Sequence, residues 1–420
     1  MKIAIYGMGY VGLTAAACLA KLGNTVLGID VNDSKVAQVN AAISPIKEPG
    51  LDELLRLAVE QKRLSARREV TGNLAGFDMA IVCVGTPSLA DGSLNLGHIA
   101  EVSRQIAAAV DTDRSDPLTV VYRSTIRPGT MEMLVQPIFR ATLGDRLDAV
   151  ELIYNPEFLR ESYAIKDFFD PPKVVVGTVD GRPSPKMDAL QQGIDAPVFH
   201  TRYREAEITK FVDNSFHALK VAFANELGRL CVQLGVDAQV THRIFISDTK
   251  LNISPQYLRP GGAFGGSCLP KDVRAMQHLS AEVGANTHVI DALMRSNAAH
   301  KHFLFQHCTM GLGPRARLLM LGLAFKADSD DLRESPNLDL ARKLMQAGHE
   351  LSIYDPALEP ERLVGQNLGY AYANLPELGD LLVDRATVER GGYDRVIDVN
   401  GWSGRLNLSG APVVNISVLA

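Results

Sequence analysis

The sequence predicts an α/β protein with three parts: an N-terminal doubly wound sheet, a central domain on one long helix, and a second α/β domain at the C-terminus. Three observations carry this reading. Short apolar runs alternate with helix-like segments over the first 150 residues, the pattern of a parallel sheet with helices on its faces. Residues 203–235 contain no proline and no glycine before Gly228. Near residue 315 the strand–helix–strand pattern restarts. The expected divisions are 1–200, 201–300 and 301–420, within the two to three domains that 420 residues suggest.

The elements follow in order. Residues 2–6 (KIAIY) read as a buried strand, followed by a glycine turn and a helix over 11–22. Residues 25–30 are the next strand, ending at Asp30, and the runs at 79–84, 118–122 and 151–154 continue the series. The 203–235 segment is one helix stopped by Gly235, read either as an ordinary core helix or as a central linker and dimer spine. Residues 255–267 are a loop by their glycine and proline content, and a helix follows from Pro270, which suits a first helical position. The second α/β part places a strand in 315–325, a helix over 337–347, a strand over 350–354 ending at Asp355, and further strands at 394–399 and 412–416.

Composition narrows the function classes. The chain is 46% hydrophobic and 22% charged with a net charge of −5, so no basic surface for nucleic acid is expected. No apolar run approaches the ~20 residues of a membrane span, and the N-terminus reads as a strand, not as a signal peptide. The expected compartment is the cytoplasm, with no membrane partner. The five cysteines form no C-x-x-C pair, so neither a disulfide framework nor a structural metal is expected.

The most informative motif is Gly7-Met8-Gly9-Tyr10-Val11-Gly12, a G-x-G-x-x-G between strand and helix with Asp30 ending the next strand. Gly7 permits the tight turn, Gly9 lets backbone approach a diphosphate, and Gly12 lets helix pack on strand. The helix N-terminus then faces the diphosphate. Asp30 accepts hydrogen bonds from ribose hydroxyls and repels a 2′-phosphate, so the expected cofactor is NAD and the first domain is of Rossmann type. The C-terminal α/β part lacks the motif and is read as Rossmann-like without a dinucleotide of its own. Thr86 and Thr125 each follow an apolar strand, where the ligand crevice of a parallel sheet lies; both also fit plain turn residues.

Among the cysteines, Cys18, Cys83 and Cys231 sit in apolar helix or strand patterns, and Cys308 has no informative context. Cys268 differs: it follows a glycine loop at the start of a helix, with Lys271 nearby, and the helix start and the lysine both favour a thiolate. The glycines before it let a bulky substrate approach. It reads either as a nucleophile or as a structural loop cysteine. On the long helix, Lys210, Asn214, His217 and Asn225 fall at i, i+4, i+7 and i+15, on one face among apolar neighbours. That stripe is either solvated or a site in which Lys210 and Asn214 donate to a developing oxyanion. Glu157, in NPEFLRE after a strand, either positions and deprotonates water or belongs to a charged turn.

Taken together, these residues resemble the UDP-glucose/GDP-mannose dehydrogenase family over nearly the whole length, most weakly after about residue 356. The resemblance rests on GMGYVG at 7–12, SPIKEPGL at 44–51, CVGTPS at 83–88, RSTIRPGT at 123–130 and NPEFLRES at 155–162. It continues in KFVDNSFHALKVAFANE at 210–226, FGGSCLPKD at 264–272 and FKADSDDLRESP at 325–336. It implies a twofold, NAD-dependent oxidation of a sugar C6 alcohol to a carboxylate, with Cys268 carrying first a thiohemiacetal and then a thioester. It implies that Lys210 and Asn214 stabilise the oxyanion, that Asp272 and Thr125 orient water, and that Glu157 is the general base. Tyr10, Val11, Asp30, Lys35, Thr86, Thr125, Glu161, Lys271 and Arg333 are implied at NAD or the site edge. Glu161, Lys210, Asn214, His217, Asn225, Tyr257, Arg259, Gly265 and Lys326 are implied at the nucleotide sugar, where Arg259 and Lys326 offset phosphate charge. It also implies a homodimer built across the long helix.

Within the family, CVGTPS, NPEFLRES, FGGSCLPKD and DDLRESP look more like the GDP-mannose branch than the UDP-glucose branch, implying GDP-mannuronate as product. UDP-glucose and UDP-N-acetylhexosamines are the alternative substrates. Gln256 and Gly262 depart from the aromatic residues expected in that branch, and 356–420 carries no transferable nucleotide contacts. Two rival readings use the same first domain. One is a 3-hydroxyacid or 6-phosphogluconate-type dehydrogenase, which needs neither the loop cysteine nor the second α/β domain. The other is a non-catalytic NAD-binding regulator.

Overall fold

The computed structural model describes all residues except 71–72, 91–92, 161, 255–260, 267–268, 326–329, 364 and 418–420, and the side chains of 221, 275, 362, 365 and 366. The chain forms two compact units, Met1–His217 and Ala218–Ala420.

Eight strands build the first unit: β1 (Lys2–Tyr6), β2 (Thr25–Ile29), β3 (Leu64–Arg67), β4 (Met79–Val82), β5 (Leu118–Tyr122), β6 (Val150–Tyr154), β7 (Val174–Thr178) and β8 (Val198–Arg202). Their order is β3-β2-β1-β4-β5-β6-β7-β8. Residues 79–82 and 118–122 are buried throughout, which is why these strands read as continuous apolar runs. Alternation within β1 supplies two cores: Ile3 and Ile5 face one cluster, Ala4 and Tyr6 the other. The helix Tyr10–Lys21 lies on the first of these and buries Leu13 and Ala15–Ala20. Strand order reverses between β1 and β4, so a crevice opens beyond their carboxyl ends.

One feature departs from the expected parallel sheet. β7 runs antiparallel to β6, through the pair Tyr154↔Gly177, while β8 again runs parallel to β7. The link between β6 and β7 contains only the short helix Ala164–Phe169, and it returns the chain with direction reversed. Gly177 is required there, because a Cβ would lie 2.7 Å from the Ala206 methyl.

The second unit contains the parallel sheet β10-β9-β11-β12, from β9 (Arg317–Leu321), β10 (Glu350–Tyr354), β11 (Arg395–Asp398) and β12 (Val413–Asn415). Its first turn repeats the geometry of the first unit. The Gly7 amide donates to the Ile29 carbonyl at 2.7 Å and the Gly322 amide to the Tyr354 carbonyl at 2.8 Å. Both glycines have positive φ, and Asp30 and Asp355 each accept from the backbone of the corresponding turn. The duplication therefore reaches the hydrogen bonds although the second turn keeps only the first of the three motif glycines.

The helix Tyr203–Leu234 gives residues to both units. Tyr203, Ala206 and Glu207 are buried in the first and Glu226, Leu230 and Cys231 in the second, whereas Val212, Phe216 and Leu219 are 57%, 40% and 48% exposed. No described helix is long and apolar enough to cross a membrane.

Candidate active site

The glycine turn is built to take a diphosphate. Gly7 has φ +95°, and a Cβ on Gly12 would sit 1.8 Å from the Gly7 carbonyl oxygen, so both positions exclude side chains. A Cβ on Gly9 would meet nothing within 4 Å, which leaves that side open. Gly9 caps the Tyr10–Lys21 helix without a side-chain hydrogen bond, so the first-turn amides have no capping side chain. Asp30 is only 8% exposed. Its Oδ2 accepts from the Met8 amide at 2.8 Å and lies 3.6 Å from Lys35 Nζ; Oδ1 accepts from the Asn32 amide at 2.9 Å. The carboxylate thus closes the turn and still has lone pairs for a ribose. These residues fit NAD.

Thr86 and Thr125, read as ligand or turn residues, come together: Thr86 Oγ1 donates to the Thr125 carbonyl at 2.7 Å across the ends of β4 and β5. Ser124 reinforces the joint by donating to the Val84 carbonyl at 2.6 Å.

Glu157 and Lys210 also meet. Lys210 Nζ donates to Glu157 Oε1 at 3.0 Å and to the Glu157 carbonyl at 2.7 Å, and Glu157 Oε2 accepts from the Leu159 amide at 2.7 Å. The two side chains are 13% and 12% exposed. An ammonium has three donors, so one remains for a developing oxyanion. Lys173, paired with Asp213 at 2.7 Å, and Lys210 both stand over the Phe158 ring, at 4.7 and 5.7 Å. Two ion pairs and a shared ring thereby fasten the NPEFL turn to one face of the long helix.

The rest of the polar stripe behaves differently. Asn214, His217 and Asn225 are exposed, in company with exposed apolar neighbours, so within one chain the stripe is solvated. In the second unit, Lys271 and Asp272 are exposed and pair with each other at 3.4 Å, which shares the lysine charge expected to favour the thiolate. Arg333 donates to both Asp331 oxygens at 2.9 Å. The glycines before the cysteine were expected to admit substrate, yet a Cβ on Gly265 would lie 2.4 Å from the Glu334 carbonyl oxygen. Gly266, at φ +82°, faces the Phe325 ring. These glycines are needed for packing within the protein. Cys268, Glu161, Tyr257, Arg259, Lys326 and Gln256 lie outside the described residues.

Three residues that sequence reasoning passed over organise these groups. Glu48, 6% exposed, accepts from the Tyr10 hydroxyl and from the Ser162 and Ala164 amides at 2.9 and 2.8 Å, binding the start of the cofactor helix to the NPEFLRES turn. Glu207, fully buried, accepts from the Gly129 and Met131 amides at 2.5 and 2.8 Å and holds the RSTIRPGT loop; burial raises its carboxyl above the ordinary value. Asn155 Nδ2 donates to the Val175 carbonyl at 2.7 Å. For Glu48 and Asn155 the available signal was a carboxylate or amide inside a recognised motif with no chemistry assigned to it; Glu207 lies outside those motifs and gave none.

The cysteines placed in apolar patterns, and Cys308 with them, are enclosed by the protein. Cys18, Cys231 and Cys308 are buried and Cys83 half-buried, all unpaired. Burial pushes the Cys18, Cys83 and Cys308 thiols up to about 12. Among the described residues, no group of three or more His, Cys, Asp or Glu is placed to hold a metal.

Comparison with known proteins agrees with this geometry. Three models of the UDP-glucose/GDP-mannose dehydrogenase family match: its NAD binding domain over residues 1–194, its central domain over 204–299 and its UDP binding domain over 319–381. The chain is 40% identical over 384 residues to a GDP-mannose 6-dehydrogenase of Pseudomonas putida, covering 91% of this chain and 87% of the relative. It is 35% identical over 368 residues to a UDP-glucose 6-dehydrogenase of Pseudomonas aeruginosa, covering 85% and 79%. A 1.55 Å crystal structure of a ternary complex of GDP-mannose dehydrogenase from Pseudomonas aeruginosa is 38% identical, with a TM-score of 0.90 over 99% of this chain and 96% of that one. With an NAD-binding turn, a lysine of the long helix paired with the Glu157 carboxylate and all three family domains in order, the chain belongs to the UDP-glucose/GDP-mannose dehydrogenase family and is an NAD-dependent nucleotide-sugar 6-dehydrogenase.

Proposed function

We propose that the substrate is GDP-mannose and the product GDP-mannuronate, formed by two successive oxidations through a covalent adduct on Cys268. The observation that carries the substrate choice is the 40% identity to a GDP-mannose 6-dehydrogenase against 35% to a UDP-glucose 6-dehydrogenase, the former over more of both chains. NAD, held at the Gly7–Gly12 turn and by Asp30, would supply the hydride acceptor for each of the two oxidations at C6. The chain supplies everything else. In the first oxidation the C6 hydroxyl gives its proton to solvent water as the hydride leaves, and Lys210, with Asn214, holds its free N–H toward the C6 oxygen as negative charge develops there. The Cys268 thiolate adds to the aldehyde carbon, so the reactive intermediate stays bound as a thiohemiacetal; loss of the second hydride and of the hydroxyl proton leaves a thioester. Glu157 takes a proton from water, with Thr125 and Asp272 orienting it; hydroxide addition then expels the thiolate and releases the uronate. The ion pair to Lys210 keeps the Glu157 carboxylate aimed during this exchange. Glu161, His217, Asn225, Tyr257, Arg259, Gly265 and Lys326 contact the nucleotide sugar in this reading, and Tyr10, Val11, Lys35, Lys271 and Arg333 line NAD or the site edge.

The enzyme works as a homodimer in this reading. The support is the apolar surface of the long helix and of the helix Ala238–Ile246 that follows it, where Val212, Val232 and Ile244 are 57%, 75% and 68% exposed. The unpaired cysteines suit the cytoplasm. Cys268→Ser tests the covalent step: carboxylate formation stops while NAD binding persists. A variant that still makes uronate at the unaltered rate returns the assignment to dehydrogenases that use no nucleophile.

A further inference from the structure

The loop that leads to Cys268 is fixed at its base by the helix His288–Thr309. Asn297, in the middle of that helix and 7% exposed, pairs with both backbone polar groups of one residue. Its Oδ1 accepts from the Phe264 amide at 3.0 Å and its Nδ2 donates to the Phe264 carbonyl at 2.8 Å. One turn further on, His300 Nε2 lies 2.7 Å from the Gly261 carbonyl, so that nitrogen carries the proton. Gly265 and Gly266 then lie against Glu334, Pro336 and Phe325, where no side chain fits. On the far side of Cys268, the helix Leu269–Glu282 is tied to the same segment by Arg274, which donates to both Glu334 oxygens at 2.7 Å. The chain is thus clamped four residues before the cysteine and again six residues after it. Nothing in the nucleophile chemistry calls for a buried amide in the neighbouring helix. A two-point clamp on loop backbone does call for an asparagine: an apolar residue leaves the Phe264 amide and carbonyl unpaired, and an aspartate satisfies only the amide.

We infer that Asn297 is a positioning residue for Cys268, acting through the Phe264 backbone, and that it decides whether the aldehyde formed in the first oxidation is captured or escapes. This rests on the thioester reading above. The first oxidation asks nothing of the cysteine beyond its absence from the hydride path. The second needs sulfur within bonding distance of the aldehyde carbon before that aldehyde leaves. A loosened loop therefore separates the two half-reactions, whereas simple loss of folded protein lowers both together.

The experiment compares the full-length protein with Asn297→Asp, which keeps the shape, and Asn297→Ala. NADH formed per GDP-mannose consumed is counted in the presence of an O-alkyl hydroxylamine. Free aldehyde becomes an oxime, one oxygen lighter than the N-alkoxyamide from a trapped thioester, and mass spectrometry separates them. The expected result is two NADH per sugar and no oxime for the parent, against a ratio falling toward one and at least a tenfold rise in oxime for the variants. Variants that hold a ratio of two without oxime, at any rate, overturn the inference and leave the thioester reading intact. So do variants that stay folded but make neither aldehyde nor uronate. A parent ratio other than two defeats the thioester reading itself, and the inference with it.

Discussion

Replacing Lys210 with methionine tests the Glu157–Lys210 pair on both stability and turnover. Both side chains are little exposed, and the ammonium makes two contacts, one to the carboxylate and one to the backbone carbonyl of the same residue. Lys210→Met strips both and leaves a carboxylate inside whose remaining partner among the described residues is the Leu159 amide. Orphaning one member of a largely buried pair costs about 3 kcal/mol. Glu157→Gln is milder, because Lys210 keeps the backbone carbonyl and gains an amide oxygen; its cost is about 1 kcal/mol. The double variant removes the buried charge along with its partner, so the coupling is about 2 kcal/mol and the double variant is more stable than Lys210→Met alone. Urea unfolding followed by circular dichroism measures all three, with thermal midpoints lowered by about 6–12 °C for Lys210→Met. If Lys210 also supplies an oxyanion donor, turnover falls about 100- to 1,000-fold in the same variant. Additive stabilities, or a Glu157→Gln variant as unstable as Lys210→Met, would refute the geometry.

Three further outcomes follow from other contacts. Gly12→Ala drives a methyl to 1.8 Å from the Gly7 carbonyl and opens the turn, so NAD affinity measured by calorimetry drops at least tenfold, whereas an open position such as Gly85 tolerates the same change. Burial raises the Glu207 carboxyl above its unfolded value, so the folded state binds that proton more tightly. Stability relative to Glu207→Gln accordingly declines as pH rises from the unfolded carboxyl value through the raised folded one and is level above it; a difference that grows with pH contradicts this. Cys18, Cys83 and Cys308, with thiols near 12, resist iodoacetamide at pH 8 in the folded protein, and peptide mapping that finds any of them labelled at the rate of a solvent thiol refutes the packing.

Much of the first unit was legible because its central strands β4 and β5 are buried on both faces. A run such as LTVVY at 118–122 admits little else between turn signals. The glycine turn was legible for a related reason: Gly7 and Gly12 are backbone requirements, and a backbone requirement leaves a fixed residue type in the sequence. The β6–β7 reversal was not, since strand direction depends on where a short link leads the chain, which no local pattern encodes. At the site, Lys210 and Glu157 were legible as charges among apolar residues but not as a pair, being 53 residues apart in the chain. Glu48, Glu207 and Asn297 were missed because each serves backbone groups of a distant loop. A carboxylate that binds amides looks, in sequence, like any surface acid. The glycines at 265 and 266 were read as room for a ligand when their immediate neighbours are protein, a distinction that only the contacts make.

The central claim is a four-electron oxidation of a GDP-sugar, and counting NADH at completion tests it most directly. Purified protein is given NAD with GDP-mannose, UDP-glucose or UDP-N-acetylmannosamine in separate reactions, and NADH per sugar is read by absorbance. The account predicts two NADH per GDP-mannose, an acidic product, and little turnover of the other two. Two per UDP-glucose with none from GDP-mannose would contradict the substrate, and one per sugar from any of them would contradict the thioester route.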